Sequence, residues 1–204
     1  MPWDQHDQGV RESSRVDLRH WILTDHTSTA TRFEQAIVAH VPVEHWKERA
    51  GGDGASIAWL LFHLSYHEDL ALNGVVRGHR PLLADHRDAL GAGGLAPHDG
   101  LGEAEQPEVT AALDLDGLTH YAASVHRATS EHLGTADLEQ LDDEVRLDGL
   151  ADLSGVRRQD VPWLYAMWTG KTAGWMVQWE AVGHVHGHVA EMISVRGRLG
   201  LSPF

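Results

Sequence analysis

The chain has 204 residues, a formal charge of −14 from 16 Lys+Arg against 30 Asp+Glu, and no cysteine. That length makes one domain, 1–204, large enough for a full core, and 42% hydrophobic with 23% charged residues is the balance of a folded chain. The missing cysteine excludes disulfides, a thiolate metal site and a cysteine nucleophile, the acidic balance argues against a nucleic-acid surface, which needs basic residues to release counterions, and no stretch approaches the roughly 18 apolar residues of a membrane span.

Met1 to Arg19 is polar and holds no apolar run fit for a signal peptide, so a cytoplasmic location is expected. The first predicted helix runs from about Leu18 to Val41. Leu18, Ile22, Ala30, Phe33, Ile37 and Val41 recur at three- and four-residue steps, and Pro42 ends the run. The second runs from about Ser56, a good N-cap, to Arg77. Its first half, Ile57 to Phe62, is apolar on all sides and is expected to be deeply buried.

Residues 78–112 carry three prolines, many glycines and alanines, and little periodicity. They read as a long connection with one short helix around Leu82 to Ala89, the kind of segment that covers a site or moves. A third helix is expected from about Asp116 to Leu133, with Leu118, Ala122, Val125 and Thr129 on one face and Gly134 as its stop. Residues 135–162 are acidic and irregular, and a short turn over Val161 to Trp168 follows. The fourth helix spans about Thr172 to Leu199 with a stripe of Trp175, Trp179, Val182, Val185, Val189 and Met192. Strand-like alternation is nearly absent. The expected fold is all-α, a four-helix bundle with one long crossover connection.

Sixteen histidines are the unusual number. Two pairs, His63/His67 and His184/His188, have the i,i+4 spacing that lets two imidazoles share an ion. At this histidine content, chance alone gives about one such pair, so spacing by itself decides little. Placement adds more. His63 lies inside an apolar run, and His184 and His188 share a helix face with Ala181 and Val195. A buried lone histidine bonded to a carbonyl is the competing reading for each. His67 sits where its helix turns polar and reads as a fourth ligand, a catalytic base or a surface residue. Glu68 is rotated by about 140° from His63 and is not expected on the same ion. Glu191, one turn past His188, reads as an orienting carboxylate or a solvated one. His186 faces elsewhere. The remaining histidines, His126 among them, read as surface or loop residues, with His26 on the stripe of the first helix set apart.

Ser56-Ile57-Ala58-Trp59-Leu60-Leu61-Phe62-His63-Leu64 with Glu68 resembles the second helix of the DinB-like (YfiT-like) family of proposed metalloenzymes. Trp179-Glu180-Ala181-Val182-Gly183-His184-Val185-His186-Gly187-His188, followed by Arg196-Gly197-Arg198-Leu199-Gly200, resembles its closing helix. The two stretches cover about 50 residues. The chain departs from the common pattern after His188, where Val189-Ala190-Glu191 stands in place of a further histidine or an arginine-glycine pair.

The resemblance implies an up-down-down-up bundle and a homodimer. It implies that His63, His184 and His188 hold one divalent ion, zinc or nickel. The expected partner is a small-molecule substrate, with neither nucleic acid nor membrane. Relatives include transferases and isomerases that use a low-molecular-weight thiol such as mycothiol or bacillithiol. The expected activity is a metal-dependent S-transferase, isomerase or hydrolase with His67 or Glu191 moving the proton. The alternatives are a non-catalytic metal-binding or stress-linked homodimer, and a metal-free protein whose histidines bind a small acidic ligand or respond to pH near 6.

Overall fold

Side-chain oxygens start the long helices. Asp17, Ser56, Asp114 and Thr172 each accept a hydrogen bond from the backbone N–H three residues on, satisfying a donor that the first helical turn leaves free. The computed structural model describes residues 17–52 and 54–202. Most of the polar N-terminal stretch, and His6 within it, lies outside the described residues.

The helices are α1 (Leu18–Phe33), α2 (Ile57–Glu68), α3 (Leu83–His86), α4 (Pro107–Ala112), α5 (Leu115–Thr135), α6 (Leu150–Ser154), α7 (Pro162–Trp168), α8 (Ala173–Met176) and α9 (His184–Arg198). π-helical turns extend α1 over Glu34–Val38 and α2 over Asp69–Val76, and another over Val177–Gly183 joins α8 to α9 as one rod. Among the described residues there is no strand, only an isolated antiparallel bridge between Glu144 and Thr172. The fold is all-α. α1 and α2 each pack against both α5 and α9, which makes the helical bundle.

All twelve residues of α2 are buried, the polar end included. Trp59, Phe62 and Tyr66 fill the centre, and each fully buried ring of this size contributes roughly 1.5–3 kcal/mol. The polar end is buried because other elements satisfy it. Asp69 accepts from the Leu82 and Leu83 amides at 3.0 and 2.8 Å, from Asn73 at 2.8 Å and from the Tyr121 hydroxyl at 2.9 Å. One carboxylate thereby pins α2 to α3 and α5.

Three expectations change in detail. α5 runs through Gly134 to Thr135, because the Arg19 guanidinium donates to the carbonyls of Leu133 and Ala136 at 2.6 and 2.7 Å and satisfies the end of the helix. The stripe of the last helix holds for Val185, Val189 and Met192, but Trp179 is 40% exposed and the buried set shifts to Met176, Val177, Glu180 and Ala181. A π turn inserts one residue into the helical period, so a pattern read at 3.6 residues per turn loses phase across 177–183. Leu18, assigned to the inner face of α1, is 41% exposed, and polar Thr29 is buried there instead.

Candidate metal centre

α2 and α9 pack face to face, which brings His63 against His184 and His188. His63 Nε2 lies 3.3 Å from His184 Nε2, and His188 Nε2 lies 2.9 Å from that same atom. The other nitrogen of each ring faces an acceptor. His63 Nδ1 donates to the Gly100 carbonyl at 2.8 Å. His188 Nδ1 donates to Glu191 Oε2 at 3.0 Å. His184 Nδ1 faces Glu180 Oε2 at 3.4 Å, within ion-pair range.

A neutral imidazole carries one N–H and one lone pair. With the protons on Nδ1, three lone pairs converge at Nε2, an arrangement that repels itself unless an electron-pair acceptor sits among them. The spacing fits a metal ion. Two nitrogens each about 2.05 Å from one ion stand about 2.9 Å apart at a right angle and about 3.3 Å apart at the tetrahedral angle. Electrostatics keeps the lone pairs free. Burial, then the neighbouring charges of His67 and His184, lower the His63 pKa to about 2. Burial also lowers that of His184.

Glu103, from the 78–112 segment, places a carboxylate oxygen 3.8 Å from His188 Nε2 with its side chain 73% exposed. It can join the three imidazoles, which bring ligand atoms within 4.8 Å of one another and of Glu103. The same long segment supplies the Gly100 carbonyl that orients His63. Gly100 is possible there only as glycine: its φ is +90°, and a Cβ would meet the Phe62 ring at 2.3 Å.

His67 shares a face with His63, its ring centroid 4.5 Å away, but both of its nitrogens are committed elsewhere. Nε2 donates to the Leu101 carbonyl at 2.9 Å, and Nδ1 faces Glu180 Oε2 at 3.3 Å. Burial works against a charge on this ring, yet the hydrogen bond and charge of Glu180 outweigh it and raise the His67 pKa above its ordinary value. Two acceptors for one ring describe an imidazolium, which has no lone pair for an ion. Glu191 stands where the spacing put it, one turn past His188 and bonded to it. Glu68 turns away from His63 toward His26, as its rotation on the helix requires.

Glu180 carries a role that the sequence reading did not give it. Fully buried, it accepts the Trp168 indole N–H at 2.6 Å, pairs with His67, and faces His184. Burial alone would push its carboxyl up, but the hydrogen bonds and charges of His184 and His67 outweigh burial and hold it down at about 2. Its spacing to His184, i,i+4 on one helix, was the available signal. Trp163 and Trp179, each about two-fifths exposed, lie beside His67 and His184 with ring centroids 6.1 Å away in both cases.

No family model and no curated protein matches the chain. Among solved structures it is similar to a conserved protein from Enterococcus faecalis, at a TM-score of 0.64 and 19% identity, over 90% of this chain and 98% of that one. At that identity the likeness concerns the fold alone. Among the described residues, no helix is long and apolar enough to cross a membrane.

Proposed function

We propose that the protein is a metal-dependent enzyme of the DinB-like kind, with one divalent ion held by His63, His184 and His188. The carrying observation is the convergence of three Nε2 atoms, that of His184 lying 3.3 Å from His63 Nε2 and 2.9 Å from His188 Nε2, with an acceptor facing the other nitrogen of each ring. Carbonyl and carboxylate partners behind metal-bound histidines are the usual means of fixing tautomer and ring direction.

A catalytic centre is favoured over a structural one because His67 is spent on Leu101 and Glu180. A closed four-histidine cage is therefore not what the residues build. Three imidazoles with only an exposed carboxylate for company match the open pattern of catalytic zinc. Such an ion supplies a Lewis acid and a free coordination position for water or a small thiol. The chain's own residues do the rest. Gly100, Glu191 and Glu180 hold the rings, while Glu103 and Glu191, partly exposed beside His188, are placed to take or return a proton. Trp163 and Trp179 offer flat apolar faces next to the site for the body of a small substrate.

Metal analysis of the purified protein against His184→Ala tests this reading. The wild type is expected to hold about one equivalent of zinc or nickel more than the variant. Equal metal in both, with the protein folded, refutes it.

A further inference from the structure

A second group of metal-ligating side chains lies outside this centre, one each from α1, α2 and α5. His26 is fully buried, and its Nε2 lies 3.1 Å from Oε1 of the buried Glu68. Its Nδ1 lies 3.1 Å from the Ser130 hydroxyl. His126 stacks on His26 with ring centroids 4.1 Å apart and planes 20° apart. One ligand atom from each of His26, Glu68 and His126 lies within 4.8 Å of the others.

Burying a carboxylate costs several kcal/mol unless charge and hydrogen bonds compensate. One contact to His26 is a small return for Glu68. A second imidazole stacked on the first compensates the carboxylate only as far as that ring is charged, whereas a cation held among the three groups would do so directly. The half-buried His126 ring has a lone pair to give when neutral. Ser130 completes the arrangement, because its hydroxyl can accept from His26 Nδ1–H when Nε2 holds an ion, and so fix the tautomer.

We propose that His26, Glu68 and His126 form a second divalent-cation site. Two imidazoles and one carboxylate suit first-row transition ions, zinc and iron(II) among them, and leave positions open. Glu68 and His126 both line a cavity of about 210 Å³ whose wall is otherwise mainly apolar, with Phe33, Leu61, Leu64 and Val189. An apolar cavity of about 150 Å³ holds benzene. The ligand class is therefore a small, mainly apolar molecule ending in one donor group, a carboxylate, carbonyl or thiolate, that reaches the ion.

The test is stoichiometric binding of Co²⁺ to chelator-stripped protein, followed by calorimetry and by the visible absorption of the bound ion. Wild type is expected to bind two equivalents. His126→Ala, which truncates a half-buried side chain and leaves the first centre intact, is expected to bind one. His63→Ala/His184→Ala is expected to keep one, and to lose it when His126→Ala is added. The proposal is overturned if His126→Ala binds as much Co²⁺ as wild type, or if a folded His63→Ala/His184→Ala variant binds none. The site does not rest on the first reading, whose own failure shows differently, as undiminished binding in His63→Ala/His184→Ala.

Discussion

Removing the Glu180 carboxylate probes the charge network behind the metal ligands. Glu180→Ala leaves the Trp168 indole N–H buried without its 2.6 Å acceptor and takes the counter-charge from a fully buried His67. An orphaned buried donor costs about 1–3 kcal/mol, and breaking a buried ion pair from one side costs about 3–5 kcal/mol. Because His67 can shed its proton, a total of roughly 3–5 kcal/mol is expected rather than the sum. For a chain of this size that corresponds to a drop of about 6–20 °C in the Tm of the chelated protein. Glu180→Gln separates charge from shape. The amide oxygen still accepts from Trp168, and the amide N–H₂ meets a neutral His67. A smaller stability loss is expected, together with a fall in the His67 pKa followed by NMR and a weakening of metal binding by roughly 10–100-fold in chelator competition. The sign is definite. In the wild type the folded-state pKa of His67 is above 6.5, so its contribution is full below pH 6.5 and fades as pH rises through the folded value. Glu180→Gln should abolish that fading. If Glu180→Gln leaves both the His67 titration and metal affinity unchanged, the network is not what holds the site.

Gly100→Ala forces a side chain onto a φ of +90° and against buried Phe62, and should cost roughly 2–4 kcal/mol while displacing the carbonyl behind His63; urea unfolding with and without zinc would show both effects, and unchanged zinc affinity would count against Gly100 as an orienting group. Asp69→Ala strands four donors from α2, α3 and α5 and should cost at least about 3 kcal/mol by urea midpoint, whereas a loss below 1 kcal/mol would mean that the carboxylate is not the pin it looks. For the chelated protein, His63 has a folded-state pKa far below its unfolded 6.5, so its stabilising contribution is present above pH 6.5 and is lost as pH falls toward the folded value. His63→Gln should therefore flatten the stability–pH slope between pH 4.5 and 6.5 by up to about 1.4 kcal/mol per pH unit, and an identical slope in both proteins would contradict the burial of a neutral ring.

The helices and their starts were written in local sequence, because an N-cap oxygen and a 3.6-residue apolar period act within one turn. Ser56 and the all-apolar run Ile57 to Phe62 announced the innermost helix, and the i,i+4 spacing put His184 beside His188. The same local reading lost phase at 177–183, where a π turn moved Trp179 outward and Glu180 inward. It also left His67, Glu180 and Glu103 without their final places. Whether a nitrogen holds a lone pair or a proton depends on what faces the other side of its ring. For His63 and His67 those partners are the carbonyls of Gly100 and Leu101, from an aperiodic segment more than thirty residues away in sequence. His126, a surface residue by its spacing, became the stacked neighbour of His26 only when α5 was laid against α1. The sequence determined which faces would be buried, since apolar periodicity is a property of one helix. The packing of four helices decided which buried imidazoles meet, since a shared ion needs atoms within a few ångströms and no spacing along one chain sets that distance.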